Sequence, residues 1–108
     1  MELTTSLKGE RCVLKVCGDF GIYSANEAKW GLLGALEGCR ELEVDLSGVV
    51  EFDTAGVQLL LLLKREATEQ GKQLVLNGHS AAVLDVIGLL GVAAMLGDPL
   101  VLPSVTGH

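Results

Sequence analysis

Apolar and polar residues alternate in several short stretches and then give way to helical spacing. In "ELEVDLS", residues 41–47, Leu42, Val44 and Leu46 fall on one side and Glu41, Glu43 and Asp45 on the other, the signature of a half-buried strand. The stretch "QLVLN" repeats it with Leu74 and Leu76, and "RCVLKVC" alternates around Cys12, Leu14 and Val16. Residues 2–7 and 11–17 are predicted as two strands joined by a turn at "KGE". "PLVLP" is predicted as a short edge strand at 99–102, bounded by prolines.

Helical segments lie between the strands. "SANE" at 24–27 reads as a capping box, with Ser24 accepting from the backbone and Glu27 reaching back, and opens a helix to about Glu37 with Gly38 as its stop. Asp53 or Thr54 opens a second helix, which runs to Gln70 with Gly71 ending it. Ser80 opens a third that reaches about Leu90, and a short turn through "VAAML" to Gly97 follows. The expected fold is a single α/β domain over residues 1–108: one mixed β-sheet of about four to five strands with the helices packed on one face. Strand–helix–strand order implies parallel pairs with right-handed crossovers. The acidic alternate positions of 41–47 keep helices off the second face, because strands covered on both sides read as continuous apolar runs.

Helix faces separate core candidates from surface candidates. At about 100° per residue, Gly56, Leu60, Leu63 and Ala67 share one side of the second helix, and Gln58, Arg65 and Glu69 share the other. Leu62 falls among the polar group. Either it belongs to the wide apolar stripe of a middle helix walled by neighbours, or it joins Gln58 and Arg65 in a protein-docking face. Trp30 poses the same choice, lying opposite Ala28, Leu32 and Ala35 on the first helix. It packs over a strand edge or loop, or it meets a partner.

Composition narrows the function classes. The apolar run Leu59 to Leu63 ends at Lys64–Arg65–Glu66, far short of the about 20 residues that span a bilayer. "MELTTSLKGERC" lacks the apolar core of a signal peptide, so a cytoplasmic, soluble chain is expected, without direct membrane insertion. A net charge of −6 with eight scattered basic residues argues against nucleic acid. Cys12, Cys17 and Cys39 form no CxxC pair, and their odd number suggests free thiols. No metal site and no cofactor are expected. His79, in the loop "NGHS" before a helix start, is a weak catalytic candidate and reads more simply as a solvated loop residue, and no glycine-rich phosphate loop is present.

The turn "EFDTAG" starts a helix, where unpaired N–H groups and the dipole accept a carboxylate or phosphate. Capping is the plain role of Asp53 or Thr54, and Gly56 permits close helix–sheet contact. Residues 42–92, "LEVDLSGVVEFDTAG…" onward, together with "CGDFGIYSANEA", resemble the STAS domain family of bacterial anti-sigma-factor antagonists. The resemblance covers essentially the whole chain. It implies a non-enzymatic signal-transduction module whose protein partner is an anti-sigma factor that is also a serine kinase. Thr54, directly after the aspartate, would be the phosphate acceptor. Asp19, Asp53, Thr54, Ala55, Gln58, Leu62 and Arg65 would touch the partner, with the domain a monomer or weak dimer. The pattern departs from the family at Gly21, where a second acidic residue is common, and at Thr54 and Ala55, where serine and a further hydroxyl are common. The threonine with a small residue also resembles the STAS subunit bound to the ATPase of phospholipid-transport ABC complexes, and other small STAS proteins accompany chemotaxis and signalling kinases.

Overall fold

The structure, a computed structural model, describes residues 1–90. The turn expected through "VAAML" and the strand expected at 99–102 lie outside the described residues. Strand β1 (Glu2–Lys8) and strand β2 (Arg11–Phe20) form an antiparallel hairpin. Its tight turn places Gly9 at φ 67°, a conformation in which glycine has no Cβ penalty. A single 3-10 turn, Ile22–Ser24, leads into helix α1 (Ala25–Glu37). Then follow β3 (Glu41–Phe52), α2 (Thr54–Glu69), β4 (Gln73–Asn77) and α3 (Ala81–Leu90).

The sheet order is β1-β2-β3-β4, with β2 to β3 and β3 to β4 parallel. Two right-handed crossovers that step the same way along a sheet put α1 and α2 on the same face. The core is accordingly one cluster. Leu14, Val16, Leu42, Val44, Leu46 and Leu76 come from one face of the sheet, and they meet Leu32 and Leu36 of α1, Leu60 and Leu63 of α2, and Val83 and Ile87 of α3. All of these are almost fully buried, as burial of apolar side chains would require for a domain of this size. The sheet and helix assignments therefore match the expected architecture within the described residues.

Three local expectations are corrected. The strand read over 41–47 continues to Phe52, and β2, expected over 11–17, reaches Phe20. Register shifts between Lys15 and Cys17 and between Gly18 and Asp19 let the pairing resume after each interruption. The capping box at Ser24–Glu27 does not form: Ser24 makes no side-chain cap to α1. Its hydroxyl donates instead to the Asp19 carbonyl at 2.7 Å, because the 3-10 turn directs it back towards β2. Finally, Cys12 and Cys39 are joined in a disulfide with Cα atoms 6.1 Å apart, leaving Cys17 as the free thiol. The reason is topological. The β2–α1–β3 crossover returns the chain beside its own start, and Cys12 is in register with Leu42, three residues after Cys39.

The other sheet face carries the acidic row. Glu43 is buried although charged. The Arg11 guanidinium donates to it at 3.2 Å and to Glu41 at 3.5 Å. A hydrogen bond from Asn77, followed by the one from Arg11, outweighs burial and holds the Glu43 carboxyl below its ordinary value near 4.5. At Asp45 burial pushes the pKa up, but hydrogen bonds with Ser47 reverse this and leave it lowered. A carboxylate with a depressed folded pKa stabilises the fold at pH values above its unfolded pKa and loses that contribution as pH falls through the folded value. The expected thermal stability is thus level at neutral pH and declines on acidification below roughly pH 4.5. Glu43→Gln should flatten part of that acid limb and lower stability at neutral pH. Melting temperatures measured across the acid range check this, and an unchanged acid limb in the variant would contradict the role given to Glu43.

Candidate functional site

The C-terminal ends of β2 and β3 meet at Phe20 and Phe52, which are partners in register. Their rings pack edge to face with centroids 5.6 Å apart. This aromatic pair closes the core directly beneath the start of α2. Gly56, in the first turn of α2, lies against it: a Cβ there would stand 2.5 Å from Phe52 Cε1 and 2.6 Å from the Phe20 carbonyl oxygen. Close helix–sheet contact, expected of Gly56 from the sequence, is what the structure shows.

Asp53 caps the helix. Its Oδ1 accepts from the backbone N–H groups of Ala55 at 2.9 Å and Gly56 at 3.3 Å. Its Oδ2 accepts from the N–H of Ile22 at 3.1 Å. One carboxylate thus binds three backbone donors from two separate segments, the start of α2 and the 3-10 turn before α1. Charge-assisted bonds of this kind are stronger than neutral ones, and the helix dipole adds to them. With Asp53 as the N-cap, Thr54 is the first helical residue and is exposed.

Gly21 makes that arrangement possible. It is buried, and a Cβ on it would lie 2.6 Å from Asp53 Oδ2. Its backbone is extended and available to any residue, so the constraint is space. A side chain at this position would have to displace the Asp53 carboxylate from its place beside Ile22.

The other expected site residues divide into two groups. Asp19, half-buried, lies beside Glu51 in the β2–β3 pairing and so joins Asp53, Thr54 and the half-buried Ala55 at one end of the sheet. Gln58, Leu62 and Arg65 run away from that end down α2. Gln58 and Arg65 are exposed, whereas Leu62 is half-buried and lines the α1–α2 seam with Leu33 and Leu59. Trp30 is 70% exposed and therefore outside the core; with Glu37, Glu66 and Gln70 it borders an open groove of about 250 Å³. His79 is half-buried at the β4–α3 turn, and no group of residues suited to hold a metal ion occurs among the described residues. No helix among them is long and apolar enough to cross a membrane.

Sequence reasoning missed the apolar fringe of this end. Ile22 is 67% exposed, Tyr23 92% and Val50 70%. Ile22 and Tyr23 belong to the 3-10 turn that Asp53 holds, and Val50 lies on the strand leading into it. The run "GIY" ahead of a helix start was the available signal.

Gly21→Ala is expected to destabilise the domain by about 1–3 kcal/mol, since the added methyl must displace the Asp53 carboxylate or the turn. Gly34→Ala provides the comparison. A Cβ on Gly34 meets nothing within 4 Å, so in a helix interior it should be neutral or stabilising by up to about 1 kcal/mol. Denaturant unfolding of both variants checks the pair, and equal effects would contradict the tight seat at Gly21.

Known proteins agree with this architecture. A family model described as "Mlab, STAS domain" matches residues 3–101. An anti-sigma factor antagonist from Mycobacterium paratuberculosis superposes with a TM-score of 0.79 at 16% identity, covering 97% of this chain and 90% of that one. The Bacillus cell fate determinant SpoIIAA in its phosphorylated form gives 0.64 at 16% identity, covering 92% of each chain. The murine anion transporter Slc26a9 gives 0.69 at 17% identity, covering 90% of this chain but 17% of the transporter. At these identities the solved structures speak for the fold, while the family match spans nearly all of the sequence: this chain belongs to the STAS domain family.

Proposed function

We propose that the chain is a non-enzymatic protein-binding module of the anti-sigma-factor-antagonist type, docking one protein partner through the Asp53–Thr54 turn and switched by phosphorylation of Thr54. The observation that carries this reading is the division of labour between the two residues. Asp53 is committed to three backbone donors, so the turn is held without Thr54, whose side chain is left exposed to a kinase or a partner. Exposed Ile22, Tyr23 and Val50 supply apolar contact area at the same end. The partner is an anti-sigma factor acting as a serine kinase; Asp19 on β2 and Ala55 flank the turn, and Gln58, Leu62 and Arg65 extend the contact along α2.

A phosphate on Thr54 acts in two opposite ways. Towards its own helix it is tolerated, because the first turn of α2 has the positive end of the dipole. Towards a docked protein it brings about −2 charge that must be desolvated, beside Asp53 and the exposed Glu51. The fold survives while the complex does not. Solved relatives include SpoIIAA in both unphosphorylated and phosphorylated forms, which is consistent with a fold that tolerates the modification.

The threonine followed by a small residue, Thr54–Ala55, leaves room for a second reading, an accessory subunit on the ATPase of a phospholipid-transport ABC complex. There the Thr54 hydroxyl would be a direct contact and not a switch. Two substitutions separate the readings. Thr54→Glu should keep the melting temperature and weaken partner binding at least tenfold. Thr54→Ala removes no cap, so its cost in stability should stay within about 0.5 kcal/mol, and it should bind normally if Thr54 is a switch. Pull-down and calorimetry against the product of the neighbouring gene, whether an anti-sigma-factor kinase or a transporter ATPase, provide the readout. Loss of binding in both variants would move the transport reading ahead, and normal binding in both would refute the site.

A further inference from the structure

We propose that Cys12–Cys39 is a thiol–disulfide exchange site, a reversible bond that a dithiol can reduce without unfolding the domain. The bond opens onto a recess of about 460 Å³, lined by Leu7, Glu10, Arg40 and Glu41 together with both cysteines. Both cysteines are half-buried and not sealed in the core. A reductant can therefore reach the sulfurs, and access is a requirement for exchange. Arg40, next in sequence to Cys39, lines the same recess as Glu10 and Glu41, so a polar, solvent-facing surface surrounds the bond.

The fold around the bond is secured by other contacts. Lys72 Nζ donates to the Leu36 and Glu37 carbonyls at 2.7 and 3.0 Å, closing the C-terminus of α1. The Cys39 N–H donates to the Leu36 carbonyl, and the Gln73 N–H to the Arg40 carbonyl. Cys12 keeps its place through pairing with Leu42 across the sheet. Neither cysteine is among the buried residues of the core, against which Cys12 packs from its edge, and a domain of this length does not need a staple to fold. The bond is thus an addition to a finished structure, which is the position of a labile disulfide and not of a scaffold one.

The reaction consumes a dithiol and transfers two electrons. One thiolate of the dithiol attacks a protein sulfur, the Cys12–Cys39 bond breaks, and a mixed disulfide forms. The second thiolate displaces the protein sulfur, the dithiol leaves oxidised, and two protons end on Cys12 and Cys39. Cys17 cannot substitute for either partner: it lies five residues along β2 from Cys12, about 16 Å at strand spacing. Thr54 is at the far end of the same sheet, so success or failure of this proposal is independent of the docking turn.

Alkylation with iodoacetamide followed by mass spectrometry tests it. Protein purified in air and alkylated in denaturant should carry one adduct, on Cys17. Brief treatment of the folded protein with dithiothreitol before alkylation should raise this to three, with an unchanged far-UV circular dichroism spectrum. Oxidised dithiothreitol or oxidised glutathione should return it to one. Cys12→Ser should fold and give two adducts with or without reductant. The proposal is overturned if the folded protein carries three adducts even after the oxidant, if reduction requires denaturant, or if reduction removes the helical signal.

Discussion

The Asp53 carboxylate joins two parts of the chain that are 31 residues apart, and the end of the molecule proposed to dock a partner depends on it. Its two oxygens serve three N–H donors, so a helix cap and a tertiary tie are one group. A carboxylate is well suited to this because it accepts at about four lone-pair sites and donates at none. Serine or threonine at the same position could cap α2 but could not also hold the 3-10 turn with the same strength. The cap therefore does more than start a helix: it sets the position of Ile22 and Tyr23 relative to Thr54.

Two glycines make room for that carboxylate and for the helix that it caps. Gly21 lets Asp53 Oδ2 approach the turn, and Gly56 lets α2 settle on Phe52 and the Phe20 carbonyl. Both are constraints of volume. They convert the ends of two parallel strands and the start of a helix into one rigid corner, with an aromatic pair below and an exposed threonine above. The arrangement fits the proposed docking role, since Thr54 contributes no bond to the support of the turn. In this chain a side chain at Gly21 would meet the Asp53 carboxylate.

Much of the fold was legible because one sheet face is apolar and the other acidic. Leu42, Val44 and Leu46 alternate with charged residues, and every strand–helix junction has a cap or a glycine. The alternation failed where the ladder is irregular: after Leu46 the pairing shifts, and "SGVVEF" no longer has a period of two although it remains strand. The motif at Ser24 misled because its hydroxyl had a nearer acceptor in the Asp19 carbonyl. The bond from Ile22 to Asp53 and the cysteine bridge are long-range, and neither is encoded in local spacing. The bridge nevertheless follows from the crossover once β2 and β3 are known to be parallel, because Cys39 then returns to the level of Cys12.

The central claim is that Asp53 alone couples the 3-10 turn to the start of α2. Amide hydrogen exchange followed by NMR measures this directly at the Ile22 and Ala55 N–H groups. The Ile22 amide sits in an exposed turn, with no helix or strand partner for its proton, and would ordinarily exchange rapidly. The account predicts that it is protected in the wild-type domain to a similar degree as Ala55, and that Asp53→Ala removes protection from both while amides in the centre of β3 stay protected. An Ile22 amide that exchanges as a free loop in the wild type, or that keeps its protection after Asp53→Ala, would contradict it.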